Sequence, residues 1–350
     1  MADAYRLNPS TLAKDYKDKL SGFRTWSQKD HATDWILMPG NIGERMCIDE
    51  TAPSRGDLFT ILSNKDGHGR KGTIAATVRG TKSEDLSQVF NKIPEADRLR
   101  VREVTMDFSD SMRMAVETSF PNAEITIDCF HIVQLATSAL SEIRMKHKRT
   151  AAAEDAKRRR EHKQRQKRNA EQNRRRQQKR EAEGRDKAPQ GRKPKRKNEA
   201  YAPPRFENGD TAVELLTRSR YFISQSRDKW TDSQKERARI LFGQYPEMLT
   251  AYDLVNDLRN IFKNKTLTSL TAAERLKKWY EDVEASGLKT LINAADTIQS
   301  RQDHVVNYFK NRSTNAPAES LNSKIKGFRA MLRGVSDLPF FMYRISTIFG

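Results

Sequence analysis

FPNAEITIDCFHIVQL, residues 120–135, changes its period partway along. Pro121-Asn122 is a turn signal, and Glu124-Ile125-Thr126-Ile127 is a short β-prone run closed by Asp128, which predicts a buried strand. From His131 the apolar residues fall at Ile132, Leu135, Ala136, Ala139, Leu140 and Ile143, the spacing of one helical face. A strand running straight into a helix is the repeating unit of an α/β sheet. The junction, DCFH (128–131), gathers an acid, a thiol, an aromatic ring and an imidazole. Those four letters fit a metal site, a catalytic corner or the polar end of a core strand, and the flanking sequence has to decide.

Upstream the same logic continues. Met46-Cys47-Ile48 is a short apolar run ending at Asp49. Leu58–Leu62 is a second strand, followed by a turn cluster of Asn64, Asp66, Gly67 and Gly69, and Thr73–Val78 is a third, closed by Gly80. Residues 83–92 read as a helix capped by Ser83. Val101–Met106 is a fourth strand ending at Asp107, residues 109–119 a helix, and Glu124–Asp128 a fifth strand. Three consecutive strands followed by alternating units predict a mixed sheet with helices on its faces. Residues 1–43 read as a helical lead-in.

Downstream, residues 146–198 are low in complexity. Of the chain's 65 Lys and Arg, 24 lie between Arg144 and Lys197 with only 7 of the 46 Asp and Glu, so this segment carries nearly all of the +19 net charge. A near-neutral core with a concentrated basic arm points to a polyanion partner, most often nucleic acid. The arm favours a helix without an apolar face up to about Glu183, then a disordered loop from Gly184 to Lys197. Residues 210–312 return to helical patterns. Stripes such as Tyr245, Met248, Leu249, Tyr252, Val255, Leu258, Phe262 and Ala273, Leu276, Trp279, Tyr280, Val283 read as helical core. Residues 315–349 read as two helices broken near Gly334 and Pro339.

Composition excludes several classes. No apolar run approaches the roughly 20 residues that span a bilayer. The first twenty residues carry no apolar signal segment, so the expectation is a protein of the cytoplasm, with no membrane partner. Cys47 and Cys129 are the only cysteines, too few for a disulfide framework or a four-cysteine zinc module, and they read as packed small hydrophobes.

Three predicted strands end in an acid: Asp49, Asp107 and Asp128. Asp also closes strands because it favours turns. Three in one block, beside a basic arm, bring a second reading forward. Carboxylates gathered at strand ends repel one another unless a cation neutralises them, and hard oxygen donors suit Mg²⁺ or Mn²⁺. In the last segment, STNAPAESLNSKIKGFRAMLRG, Ser313 or Thr314 can cap a helix with Glu319, Asn322 and Lys326 on one face. That face fits a solvated stripe as well as a site.

Four pieces in order, CIDET (47–51), VTMDFSDSM (104–112), FPNAEITIDCFHIVQL (120–135) and TNAPAESLNSKIKG (314–327), resemble the DDE transposases of bacterial insertion sequences, in the branch called here the ISL-three-like group. The resemblance covers roughly 44–145 and 310–349. It implies an α/β, ribonuclease H-like mixed sheet flanked by helices and interrupted by a large all-helical insertion that carries the basic arm. The implied division is a lead-in at 1–43, the first part of the catalytic core at 44–145, the insertion at 146–312 with its arm at 146–198, and helices completing the core at 313–350. The catalytic and metal-holding acids carried over are Asp49, Asp107 and Glu319, with two Mg²⁺ expected and Mn²⁺ as substitute. Asp128 and His131 match a D-x-x-H signature and become a supporting corner with no metal of its own, with Asp128 the alternative to Asp107 as second acid. Asn322 and Lys326 match E-x-x-N-x-x-I-K and would contact DNA, as would Arg158, Arg159, Arg160, Arg174, Arg175 and Arg176 of the arm.

The function so implied is metal-dependent DNA cleavage and strand transfer on double-stranded DNA, at element ends and target, by a homo-oligomer. The rivals are a nuclease of the same fold and a degenerate or domesticated relative that binds DNA without catalysis. Longer members of the group place a zinc-binding segment and a helix-turn-helix before the catalytic region. Only 48 residues precede Asp49 and they hold no Cys/His cluster, so the expectation is either that another chain, a separate end-recognition protein, reads the element ends or that the element is truncated.

Overall fold

A computed structural model describes residues 8–54, 56–184 and 200–350. Six strands form one sheet: β1 (Trp35–Leu37), β2 (Arg45–Ser54), β3 (Asp57–Asn64), β4 (Ile74–Arg79), β5 (Glu103–Met106) and β6 (Glu124–Ile127), in the order β1-β4-β3-β2-β5-β6. The first four strands pair antiparallel, and β5 and β6 add to β2 in parallel. This is the ribonuclease H-like mixed sheet that the resemblance implies. The helices are α1 (Pro9–Asp15), α2 (Ser83–Phe90), α3 (Glu95–Arg100), α4 (Asp110–Ser119), α5 (Cys129–Ala182), α6 (Ala212–Arg218), α7 (Arg220–Ile223), α8 (Asp232–Gln244), α9 (Pro246–Lys263), α10 (Ser269–Ala285), α11 (Lys289–Gln299), α12 (Gln302–Val306), α13 (Tyr308–Asn311), α14 (Ala316–Met331) and α15 (Leu338–Phe349).

Among the described residues two compact units form. One runs to Gln134 and takes in Ile261–Lys278 and Asp296–Gly350; the other comprises Leu135–Asn260 and Trp279–Ala295. The first unit therefore holds the sheet together with part of the stretch that the sequence assigns to the helical insertion.

Inside the first unit the sheet is buried on both faces, which is why its strands read as nearly continuous apolar runs. Side chains alternate along a strand. Met46, Ile48, Leu62, Val104, Met106 and Ile125 point to one face, where they pack with Leu86, Val89 and Phe90 of α2 and Met112, Ala115 and Val116 of α4. Phe59, Ile61 and Ile74 point to the other, under Leu321, Ile325 and Phe328 of α14 and Phe341, Met342 and Ile345 of α15. The exposed edge of β6 is covered: Asn307 Nδ2 donates to Ile125 O at 2.8 Å, and Lys310 pairs with Glu124 at 2.7 Å. Covering an edge in this way removes a template for unwanted strand pairing.

Several local readings are corrected by the structure. Residues 35–37, read as part of a helical lead-in, form β1, whose Trp35 and Leu37 pair with Val78 and Ala76. Three residues are too few for alternation to register in sequence. β2 does not stop at Asp49 but continues to Ser54, because Asp49, Glu50 and Thr51 still pair with Ile61, Thr60 and Phe59 of β3. Ser83 lies inside α2, whose N-cap is Lys82 with no side-chain cap. Neither Ser313 nor Thr314 caps α14; the cap position is Asn315. α5 begins at Cys129 and runs unbroken to Ala182, so the core-packed helix and the basic arm are one element. The loop expected from Gly184 to Lys197 lies, beyond Gly184, outside the described residues.

The second unit is helical. Its aromatic stripe is core: Tyr252 is fully buried, and Trp230 and Trp279 donate their indole N–H to Phe222 O at 2.8 Å and Leu254 O at 2.7 Å. Satisfying the polar handle of each ring is what lets it be buried.

Candidate active site

The parallel register decides which acids meet. Cys47 stands opposite Thr105, and Thr105 opposite Thr126. Two residues further along, the three neighbouring strands carry Asp49, Asp107 and Asp128. Strands lie about 4.8 Å apart and parity is preserved over two residues, so the three acids fall in one row on one face. It is the α14 face, since Met46, Ile48, Val104, Met106 and Ile125 occupy the other. β2 parts from β5 after Cys47 while remaining paired to β3, which opens the sheet at Asp49. Ligands gather at such carboxyl ends.

α14 brings the fourth acid. Ala318, Leu321 and Ile325 are buried against the sheet, and Glu319 projects to the exposed side at the helix start. Asn322, one turn on, is 7% exposed; its Nδ2 donates to Asp49 Oδ2 at 2.8 Å and to Glu50 O at 3.0 Å. The resemblance implies a DNA contact for Asn322, whereas here its amide hydrogens are held by Asp49 and the β2 backbone. Asp49 Oδ1 accepts from the Glu50 N–H at 2.8 Å. Burial pushes the Asp49 carboxyl above the usual carboxylate range against that backbone bond; Asp107 and Glu319 add to the rise, and His131 opposes it. Asp49 is thus within electrostatic reach of Asp107, Glu319 and His131, although 58 and 270 positions separate it from the two acids.

Asp107 Oδ1 accepts from the Ser109 N–H at 2.9 Å, an Asx turn that fixes the carboxyl at the strand end. The next acid, Asp110, is taken up by ion pairs with Arg301 and Arg113.

At the third strand end, Asp128 is 2% exposed. Its Oδ1 accepts from the Asn315 N–H at 3.2 Å, and the carboxylate also accepts from the Phe130 N–H. It therefore ties the start of α5 to the start of α14, a capping role that the DCFH motif does not announce. Burial raises its carboxyl above the ordinary range, opposed by these bonds and by His131. Asp128, His131 and Glu319 offer one ligand atom each within 4.8 Å of one another. The structure thus brings His131 and Glu319 together, and these three groups could share a cation. Burial pushes the Cys47 thiol up to about 12 and Cys129 above its ordinary value, which favours the protonated thiol at both.

Sequence reading missed what positions α14. Lys65 and Glu103, both buried, pair at 2.6 Å beneath the site. Lys65 Nζ also donates to Thr105 Oγ1 at 2.5 Å. Ser313 Oγ donates to Glu103 Oε1 at 2.5 Å and Asn311 Nδ2 to Oε2 at 3.1 Å. The segment leading into α14 is therefore anchored on β5. The signal available was a Glu at the start of an otherwise apolar strand.

The fit to a divalent cation follows from the donor set. Among the described residues Asp128, His131 and Glu319 bring ligand atoms within 4.8 Å of one another, while Asp49 feels the charges of Asp107 and Glu319 from further off; burial raises the Asp49 and Asp128 carboxyls. Hard oxygen donors under mutual repulsion suit Mg²⁺ or Mn²⁺, with an imidazole favouring the softer ion. The residues expected to contact DNA divide: Asn322 is buried, whereas Lys326 is exposed on α14 and Arg158, Arg159, Arg160, Arg174, Arg175 and Arg176 are exposed around α5.

A row of acids across the parallel end of a ribonuclease H-like sheet, joined by one more acid from a late helix, is the arrangement expected of the DDE class. The family model described as Transposase, of the ISL3-type DDE group, matches residues 46–345, and the chain belongs to this family. It is also similar to the transposase for insertion sequence element IS1001 of Bordetella parapertussis, with 20% identity over 307 residues, 87% of this chain. The chain spans 61% of that relative's length. No solved structure matches. Among the described residues no helix is long and apolar enough to cross a membrane.

Proposed function

We propose that this chain cleaves DNA at the ends of an insertion sequence and joins the freed ends to target DNA, with Asp49, Asp107 and Glu319 as the acids that hold two divalent cations. What supports the reading is that Asp49, at the opened parallel end of the sheet, feels the charges of both Asp107 and Glu319. When bound, Mg²⁺ or Mn²⁺ supplies Lewis-acid stabilisation of the attacking and leaving oxygens of an in-line displacement. Asn322 aims Asp49 by bonding one oxygen, which leaves the carboxylate a fixed orientation. Asp128 shapes the corner through its bonds to Asn315 and Phe130, and His131 faces Glu319. In the first step water attacks phosphorus and the strand's 3′-oxygen leaves as a hydroxyl. In the second that 3′-hydroxyl attacks a target phosphodiester and the target's own 3′-oxygen leaves. Lys326 and the arm hold the DNA backbone, and the chain acts as a homo-oligomer in the bacterial cytoplasm. The fold division is that of the resemblance, a ribonuclease H-like core interrupted by a helical insertion.

The test uses a duplex carrying the inverted repeats that flank the gene, with Mg²⁺. Single-turnover nicking at the repeat boundary, and transfer of a precleaved 3′-end into plasmid DNA, are the expected results. Nicking without transfer on precleaved ends would assign a nuclease instead, and neither activity with intact DNA binding would assign a DNA-binding protein.

The arm makes a separate prediction. Its arginines are spread round α5, and Arg158, Arg159 and Arg175 form exposed i,i+4 pairs with Glu154, Asp155 and Glu171. Such pairs are worth a few tenths of a kcal/mol and yield readily to phosphate. Replacing Arg158, Arg159, Arg160, Arg174, Arg175 and Arg176 by Gln is expected to weaken DNA binding and flatten the slope of log affinity against log salt. Each phosphate that the arm no longer neutralises changes the slope by about 0.9, so removing all six arginines changes it by up to about 5. An unchanged slope, measured by fluorescence anisotropy across a salt series, would show that the arm does not touch phosphate.

A further inference from the structure

We infer that Phe130 is a nucleobase-stacking residue, whose exposed ring takes the face of an unpaired base beside the phosphate on which the carboxylates act. The chain has fifteen phenylalanines, all described; fourteen are buried or half-buried, and Phe130 alone is exposed, at 58%. Single exposed apolar side chains are ordinary on protein surfaces. The place of this one is not. It stands between Asp128 and His131 in the first turn of α5, with its N–H fixed by the Asp128 carboxylate. Its ring meets the His131 ring edge to face, with centroids 5.5 Å apart and planes at 84°. His131 in turn lies within 4.8 Å of the Asp128 and Glu319 oxygens. The ring is thus one side chain removed from the acids, held against His131 and more than half exposed.

Phenylalanine brings no hydrogen bond and no charge, so what it offers at a polar corner is a flat apolar surface. In a chain whose family acts on DNA, the flat apolar partner available there is a base. Neighbouring nucleotides are about 3.4 Å apart along a strand, so a ring this near the acids meets a base about one or two nucleotides from the reacting phosphate. Apolar side chains that enter a base step unstack it and kink the duplex, which would present the scissile phosphate to the acids. Stacking of this kind tolerates any sequence, because every base has a π-face.

The inference rests on the reading that this corner acts on DNA, and its test separates the two. Full-length chain with Phe130→Ala is expected to nick the repeat-bearing duplex about 5- to 150-fold more slowly than wild type, the range for loss of one base–aromatic stack. Phe130→Trp is expected to keep the rate. Placing an abasic residue at each position within about two nucleotides of the nick should, at one of them, close the gap between Phe130→Ala and wild type. A Phe130→Ala rate within twofold of wild type, or a gap that no abasic position closes, overturns the inference. A second measurement does not need the chemistry. Duplexes with 5-iododeoxyuridine at the same positions are irradiated with the protein, and the adduct is mapped by mass spectrometry. A cross-link at Phe130 supports stacking even if wild type proves inactive, in which case only the catalytic reading fails. The absence of any cross-link there overturns stacking even if nicking is robust. A Phe130→Ala chain that binds and cross-links unchanged but loses self-association would assign the ring to a second copy of the chain.

Discussion

Asp107→Asn is expected to abolish nicking at any Mg²⁺ concentration, whereas Asp128→Asn should leave a measurable rate. The two residues sit at equivalent ends of adjacent parallel strands, so position alone does not separate them; their hydrogen bonds do. Asp107 accepts from the Ser109 N–H with one oxygen, and among the described residues no hydrogen bond engages the other. Asp128 is buried and accepts from two backbone N–H groups, of Asn315 and Phe130. Asparagine keeps an acceptor oxygen for those bonds but removes the negative charge. At Asp107 the lost charge is one that divalent cations need, and several kcal/mol of transition-state stabilisation should go with it, at least about a thousandfold in rate. At Asp128 the corner survives, and the loss should stay near the 10- to 100-fold typical of groups that orient ligands. Circular dichroism must first show both variants folded. An inactive Asp128→Asn beside an active Asp107→Asn would move the second acid one strand along, into the group formed by Asp128, His131 and Glu319.

The largest expected effect on stability is at Glu103. Removing one partner of a buried, hydrogen-bonded ion pair leaves the other charge unmatched, and Glu103→Ala is expected to destabilise the first unit by about 3–5 kcal/mol. Lys65 would be stranded at 7% exposure, and Ser313 and Asn311 would lose their acceptor. Replacing both members, Lys65→Met with Glu103→Leu, should recover most of the loss, because an apolar pair of similar volume has no desolvation cost. Although burial alone would raise it, the bonds from Lys65, Ser313 and Asn311 hold the Glu103 carboxyl below its ordinary 4.5. The pair's contribution is therefore complete above pH about 4.5 and is lost as pH falls through the lower, folded-state value. Urea unfolding read by hydrogen exchange in β5 between pH 7 and 3 would show this slope in wild type and its absence in Glu103→Ala. A Glu103→Ala loss under about 1 kcal/mol, the level of an exposed pair, would mean that the pair contributes little.

How much of this was legible depended on burial. β3, β4, β5 and β6 announced themselves because both their faces are covered and their sequences are runs of apolar residues. The outer half of β2 did not, since Glu50-Thr51-Ala52-Pro53-Ser54 carries no apolar run and is held as a strand by β3. β1 was too short to show a period. Among the site residues, Asp49, Asp107 and Asp128 were visible as acids closing apolar runs. Glu319 came from the resemblance, because no local pattern links a helix near the end of the chain to strands made at its start. The Lys65–Glu103 pair and the Asn322–Asp49 bond were invisible for the same reason: each joins groups that only the three-dimensional fold brings together, 38 and 273 positions apart.

That separation has a consequence for synthesis. All six strands are complete by Ile127, but α14 begins at Ala316. At 5–20 residues per second the ribosome needs about 10–40 s to make the intervening residues. Throughout that interval Phe59, Ile61 and Ile74 have no α14 or α15 to cover them. A nascent chain is therefore adhesive before it is competent, and a message cut short anywhere upstream of Glu319 yields a protein that invites chaperones and proteases yet lacks one of the acids assigned to cutting DNA.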